Sequence, residues 1–192
     1  MALLILGLIL FLGTHSLMIA APGLRASLVG RLGEQPFKGL YALLSLAGFV
    51  LIVIGFGQAR ADTVVLWNPP VWARHVTITL VLIAFVLLAA YGGPPGRIKP
   101  AVRHPMVVGT IVWAIGHLVA NGTLADLVLF GAVLAWAVFD LVSLLARDRA
   151  VGRIPVAGPP VNDAVAIGLG VLLWAFFLFI GHRWLFGVSP LG

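Results

Sequence analysis

The chain has 192 residues, of which 61% are hydrophobic and only 9% are charged, and its mean hydropathy is +1.14. Its apolar runs are long enough to cross a hydrocarbon layer of about 30 Å, which excludes a soluble globular protein and indicates a polytopic membrane protein. The net charge of +6 comes from 12 Lys and Arg residues that lie mainly in short segments between apolar runs, so we expect it to reflect membrane topology and no nucleic-acid binding.

Six apolar segments are predicted to form membrane-spanning helices, which gives an all-α bundle in a lipid bilayer. Gly- and Pro-rich loops separate them, as at 33–36 and 92–96, because these residues form helices poorly. Asn162 or Asp163 is expected to cap the last helix. The segments leave no length for a second domain, so one membrane-embedded domain is expected over residues 1–192. The predicted spans are 2–21, 39–57, 73–91, 105–121, 124–146 and 163–186.

The distribution of basic residues predicts the orientation of the bundle. Three basic residues, Arg60, Arg74 and Arg183, lie in loops on one side of the membrane. Lys and Arg are in excess in cytoplasmic loops, so both termini are predicted to lie outside the cytoplasm. Nine basic residues lie on the other side: Arg25, Arg31, Lys38, Arg97, Lys99, Arg103, Arg147, Arg149 and Arg153.

Five histidines carry most of the functional signal. His75 and His182 are predicted near the outer interface, where water solvates an imidazole. His15 lies about 10 Å inside the cytoplasmic edge at about 1.5 Å per residue, and His117 lies deeper. A polar side chain at such depth is uncommon unless it faces the bundle interior and has a partner, and haem iron can be that partner. The sequence has no cysteine, which excludes thiolate-ligated haem and cysteine-ligated iron–sulfur clusters.

Asp140 is predicted at the depth of His15. It lies seven residues before Arg147 on the fifth span, which places it about 10 Å from the same edge. A carboxylate that accepts the ring N–H of a metal-bound histidine orients the imidazole and raises its basicity. A structural hydrogen bond between His15 and Asp140, with no metal, explains the matching depths as well.

His117 shares one stripe of the fourth span with Gly109, Trp113 and Gly116, which lie eight, four and one positions before it. Small residues there permit either close helix packing or the approach of a flat macrocycle. His104 lies thirteen positions before His117, about 220° around the helix, so these two cannot ligate one metal. If two histidines share an iron, we expect His15 and His117, although their predicted depths differ by about 9 Å.

Arg103 and His104 precede Pro105, which suits the first turn of a helix because its missing N–H costs nothing there. Two interpretations of the pair remain open. Arg103 and His104 either mark the start of the helix at the headgroups or hold an acidic group, such as a haem propionate or a lipid phosphate.

The run from Arg103 through the Trp-Ala-Ile-Gly-His-Leu sequence of residues 113–118 to Gly122 resembles the NnrU family of bacterial membrane proteins. Thr14-His15-Ser16 and the segment 33–41 resemble it too, so the resemblance covers most of residues 1–150. The family is linked to nitrite and nitric oxide reductase expression or assembly in denitrifying bacteria. It is similar to plant 15-cis-zeta-carotene isomerase, an integral membrane haem b protein.

The resemblance implies a multi-pass protein of the bacterial inner membrane that binds haem b. The histidines at the positions of His15 and His117 would be the iron ligands and the catalytic residues. The residues expected to contact the cofactor are Arg103, His104, Gly109, Trp113, Gly116 and Asp140.

Several functions remain open. The resemblance implies redox-dependent cis–trans isomerisation of a polyene, with a carotenoid as a candidate partner. The plant enzyme has a cysteine three residues before its second histidine, whereas this chain has Ala114. A non-catalytic haem protein for electron transfer, nitric oxide sensing or maturation of nitrogen-oxide reductases is the first alternative. A membrane methyltransferase, which Arg-His-Pro at a helix start also resembles, and a structural or assembly protein are the others.

Overall fold

The computed structural model describes residues 1–192. Helices account for 81% of the chain and it has no strands, which confirms the predicted all-α class. The helices are α1 (Ala2–Ala20), α2 (Pro22–Leu32), α3 (Glu34–Ala61), α4 (Val71–Gly92), α5 (Ile98–Val102), α6 (Pro105–Ala120), α7 (Leu124–Ala150), α8 (Pro160–Phe176) and α9 (His182–Phe186), with a π-helical segment at Phe177–Gly181 between the last two.

Five helical segments are long and apolar enough to cross a membrane: α1, α3, α4, α7 and the continuous segment Pro160–Phe186. They correspond to five of the six predicted spans. The sixth predicted span, 105–121, corresponds to α6, which is apolar but has only 16 residues. At about 1.5 Å per residue α6 is about 24 Å long, shorter than a hydrocarbon layer of about 30 Å. Length and composition therefore support five spans and one shorter apolar helix, and the orientation of the termini stays a prediction.

The loops contain two short helices that were not predicted, α2 and α5. Helix α1 ends just before Pro22, which begins α2, because proline lacks the N–H that a helix interior needs but fits a first turn. Gly33 separates α2 from α3 with a φ of +85°, a backbone conformation that glycine adopts without steric cost. This turn directs the chain from α2 into the long apolar helix α3.

One compact unit consists of residues 1–64 and 123–132, and its main contact is between α1 and α3. Glycines bring the two backbones together. A Cβ on Gly7 would lie 2.6 Å from the backbone nitrogen of Ile52, and a Cβ on Gly48 would lie 2.7 Å from that of Phe11. Gly55 faces the α1 backbone equally closely. Small residues drive packing between apolar helices because they let the backbones approach.

The second compact unit consists of residues 65–122 and 133–192, with α4 packed on both α6 and α8. A Cβ on Gly170 of α8 would lie 2.6 Å from the Cα atom of Val86, so this contact is also close. The indole Nε1 of Trp174 donates a hydrogen bond to the backbone oxygen of Ile78 at 2.9 Å, which fixes the register of α8 on α4.

Asp163 and Asn162 connect the first turn of α8 to the loop before α5 and to the first residue of α5. The Asp163 carboxylate accepts the backbone N–H groups of Arg97 and Ile98 at 2.8 to 3.0 Å, and the Asn162 amide donates to the Pro95 oxygen at 2.9 Å. The prediction that one of them caps the last helix is wrong, since no side-chain hydrogen bond caps α8. The carboxylate instead satisfies N–H groups at the start of α5, which have no partner within that helix.

We expect Asp163→Ala to lower the free energy of unfolding by about 1 kcal/mol, because two backbone N–H groups lose a charged acceptor in an exposed loop. Hydrogen exchange at the amides of Arg97 and Ile98 should accelerate first. Val161→Ala, an exposed change in the first turn of α8, is the control. Equal exchange rates in the two variants would show that the carboxylate does not hold this loop.

Candidate functional site

His15 lies on α1, and its ring is fixed by the helix itself. Its Nδ1 lies 2.7 Å from the backbone oxygen of Phe11, and its ring centroid lies 4.3 Å from that of Phe11 and 5.5 Å from that of Tyr41. A carbonyl oxygen only accepts, so we assign the proton to Nδ1. The neutral ring then carries its lone pair on Nε2, the nitrogen suited to a metal ion.

His117 has the same local setting on α6. Its Nδ1 donates to the backbone oxygen of Trp113 at 2.9 Å, and the two ring centroids lie 4.6 Å apart. Each of the two histidines therefore has an aromatic residue four positions earlier whose backbone oxygen accepts the ring N–H and whose ring packs against the imidazole at a tilt. The sequence signal for this setting, an aromatic residue four positions before a histidine, was present at both places but not recognised.

Nδ1 of His15 lies beside the Phe11 oxygen, because a helix offers its own carbonyl one turn back. The expected hydrogen bond between His15 and Asp140 stays a prediction. Asp140 is 9% exposed, and its Oδ1 lies 4.0 Å from the guanidinium of Arg147, at the limit of an ion pair. A contact of Asp140 with a cofactor stays a prediction.

Gly109 and Gly116 of α6 face α4. A Cβ on Gly109 would lie 3.1 Å from the backbone oxygen of Ala84 and 3.2 Å from the Cβ of Leu87, and one on Gly116 would lie 3.3 Å from the Cβ of Leu80. Of the two interpretations of these glycines, close helix packing is therefore observed. Their contact with a macrocycle stays a prediction.

His104 has an acidic partner within the chain. Its Nε2 donates to Oδ2 of Asp148 at 2.9 Å, with the side chains only 13% and 8% exposed, and Arg153 lies 3.7 Å from the other carboxylate oxygen. The pair joins the start of α6 to the end of α7. The predicted fifth span ends at residue 146, before Asp148, whereas α7 continues to Ala150 and carries Asp148 in its last turn.

Arg103, just before this pair, adopts an uncommon backbone conformation. Its φ is 62° and its ψ is −56°, and the N–H of His104 bonds to the oxygen of Val102 at 2.7 Å. This three-residue γ-turn is strained for a residue with a side chain. It turns the chain from α5 into α6 and leaves Arg103 exposed. Binding of an external acid by Arg103 and His104 stays a prediction.

We expect Asp148→Ala to lower the free energy of unfolding by about 2 kcal/mol, because it leaves the ring N–H of His104 without its acceptor in a mostly buried position. Asp148→Asn keeps an acceptor oxygen and should cost about half as much. Thermal unfolding in detergent, followed by circular dichroism, measures both. Arg149→Ala, at an exposed neighbouring position, is the control. If Asp148→Ala and Arg149→Ala unfold at the same temperature, the pair does not stabilise this end of the unit.

His182 lines the same cavity as His117, which the sequence did not predict. The cavity measures about 60 Å³, and Thr77, Trp174 and Phe177 also line it. Nδ1 of His182 donates to the backbone oxygen of Val188 at 2.8 Å. The other predicted interface histidine, His75, is exposed.

The π-helical segment explains the placement of His182. In a regular α-helix the eight steps from Trp174 to His182 would leave the two side chains about 80° apart at 100° per residue. A π-helix has more residues per turn, with hydrogen bonds from i to i+5, so it reduces this offset. Apolar periodicity does not reveal such a segment, because every residue in Phe177–Gly181 is apolar or glycine.

The two candidate ligands belong to different units. His15 lies in the unit of residues 1–64 and 123–132, and His117 in the other. Their pairing about one iron stays a prediction. No group of three or more His, Cys, Asp or Glu side chains lies close enough to hold a metal ion. A haem iron would need only two ligands from the protein, because the porphyrin supplies the other four.

The chain was compared with known families and proteins. A family model described as "NnrU protein" matches residues 3–190, which is nearly the whole chain and includes both His15 and His117. No match was found among the curated proteins or among the solved structures. The family match agrees with the resemblance noted in the fourth-span motif.

Proposed function

Because the chain belongs to the NnrU family, we propose that it is a membrane protein that binds haem b, with His15 and His117 as the axial ligands of the iron. The shared setting of the two imidazoles carries this proposal. Each ring donates its Nδ1–H to a carbonyl of its own helix, which places the lone pair on Nε2, the nitrogen that would coordinate the iron. Rings fixed in this way lose little further rotational freedom when they bind a metal.

When bound, haem would supply an iron centre that changes oxidation state. The chain itself would supply two oriented imidazoles and apolar surroundings that keep water away. The reaction we propose for such a site is redox-dependent cis–trans isomerisation of a polyene, such as a carotenoid, which would reach the protein through the bilayer.

The second candidate is a haem protein without an isomerase activity, serving electron transfer, nitric oxide sensing or the maturation of nitrogen-oxide reductases. One observation favours it. Ala114, three residues before His117, is fully buried and offers no thiol where the plant isomerase has a cysteine. An exchange between thiolate and imidazole ligands cannot occur in this chain, which has no cysteine.

The absorption spectrum of the purified protein, expressed with a haem supply and recorded oxidised and then reduced, tests haem binding. We expect a Soret band and, in the oxidised state, the spectrum of six-coordinate, low-spin iron. Absence of a Soret band, or a five-coordinate high-spin spectrum of the oxidised protein, would contradict ligation by two imidazoles.

Incubation of the haem-loaded protein with a cis polyene separates the two candidate functions. Product that forms under reducing conditions, and not under oxidising conditions, supports the isomerase. A reversible spectral change on reduction, with no product, supports the second candidate.

A further inference from the structure

The cavity at His15 has a polar, positively charged side that the proposed haem ligands do not explain. It measures about 290 Å³, close to the lower end of the range of about 300–1,000 Å³ typical of small-molecule sites. It lies among α1, α2 and α3. The residues that define its chemistry are His15, Met18, Arg25, Phe37, Lys38 and Tyr41.

Arg25 reaches this cavity because of the short helix α2. The chain turns at Ala21, forms α2 from Pro22, and turns again at Gly33, so that α2 packs beside the start of α3. The guanidinium of Arg25 then lies over the ring of Phe37, with Cζ 5.6 Å from the ring centroid. This contact holds the stem of Arg25 while its planar donors remain suited to an anion.

Lys38 lies next to Phe37 on the first turns of α3. Its Nζ is 2.7 Å from a carboxylate oxygen of Glu34, but the two side chains are 60% and 68% exposed. An exposed ion pair between positions i and i+4 of a helix contributes little to stability. Lys38 can therefore exchange Glu34 for an anion that binds at the cavity.

The arrangement divides the cavity into two ends. Phe37, Tyr41 and the imidazole of His15 offer aromatic rings at one end. Arg25 on α2 and Lys38 at the start of α3 add two cations to the lining of the same cavity. This combination matches a flat amphipathic molecule that carries carboxylates along one edge and is apolar elsewhere.

We propose that Arg25 and Lys38 bind the carboxylate edge of the molecule that His15 ligates. The inference rests on the proposed function, since that molecule is haem and its carboxylates are the propionates. It is an alternative to the expectation that Arg103 and His104 hold this edge. The acidic partner of His104, Asp148, is mostly buried with it, whereas the pair of Lys38 with Glu34 is exposed and both Arg25 and Lys38 line the cavity at His15.

The test uses haem-loaded protein in nanodiscs and measures the rate at which haem leaves for an excess of an apoglobin acceptor. The variant is Arg25→Gln with Lys38→Gln. We expect it to lose haem about tenfold faster than the wild type, with an unchanged Soret position because both imidazoles remain. Arg31→Gln, also on α2 and exposed, is the matched control and should stay within about twofold of the wild type.

Haem dimethyl ester separates the propionates from other causes. With its carboxylates blocked, it should leave the wild type and the double variant at the same rate. If the wild type and the double variant lose ordinary haem at equal rates, the inference is overturned. It is also overturned if the tenfold difference between them persists with haem dimethyl ester.

A lipid headgroup is the other source of an anion at this cavity. If the difference between wild type and double variant follows the phosphatidylglycerol content of the nanodisc and not esterification, the anion is a lipid phosphate and the inference is wrong. A wild type with no Soret band would end the proposed function and this inference together. A Soret band with equal loss rates would end the inference alone.

Discussion

His117→Ala and His15→Ala are each expected to abolish the haem Soret band of the purified protein. Covalent c-type attachment and thiolate ligation both need cysteine, which the chain lacks, so under the proposed function the bonds from the two imidazoles would retain the iron. The proton is assigned to Nδ1 in both rings, and loss of either ring would leave the iron without one of its two proposed protein ligands. The measurement is the ratio of Soret to protein absorbance after purification with a haem supply.

The control variants are His75→Ala and His182→Ala, both expected to retain the Soret band. His75 is exposed, so its variant tests whether loss of any histidine perturbs the protein. His182 is the stricter control, because it lines the cavity of His117. If His182→Ala loses the Soret band and His15→Ala keeps it, the iron is bound by His117 and His182. That result would contradict the pairing of His15 with His117.

Gly55→Leu is expected to lower the free energy of unfolding by about 3 kcal/mol or more, or to prevent folding. A Cβ on Gly55 would meet the backbone of Leu3 and Leu4 in α1, and backbone atoms cannot move aside as a flexible side chain can. The contact between α1 and α3 also positions His15 beside Tyr41, so haem retention should fall with stability. Unfolding in detergent, monitored by circular dichroism, gives the stability.

Gly57→Leu is the matched control, two residues along the same helix. A Cβ there meets nothing within 4 Å, so the substitution should change the free energy of unfolding by no more than about 1 kcal/mol. Similar losses in the two variants would mean that leucine disturbs α3 itself, and that the close approach of α1 is not what Gly55 provides.

The fold was largely predictable, because apolar length is a strong signal. Every predicted span has a helix in the structure, and α1 and α4 match their predicted bounds within two residues. Two features escaped prediction. The helix α2 has 11 residues of mixed polarity, which no apolar run reveals, and α5 has only five residues.

For the candidate site, the sequence offers a choice of residues that stays a prediction. The predicted depth in the membrane and the absence of cysteine point to His15 and His117. Their hydrogen bonds cannot be predicted in the same way, because they depend on the orientation of the side chains. His182 could not be assigned, because its cavity position depends on a π-helical segment. Asp148 and Asp163 bind partners 44 and 65 or 66 positions away, and a single sequence carries no signal for such contacts.

Chemical rescue of the glycine variants tests the two axial imidazoles most directly. His15→Gly and His117→Gly are purified with haem in the presence and absence of imidazole, and the ferric and ferrous spectra are compared with the wild type. We predict that each variant lacks the six-coordinate, low-spin spectrum alone and regains it with imidazole, which occupies the space that the side chain leaves. A wild-type spectrum in either variant without imidazole would contradict the account, because that histidine would then not be bound to the iron.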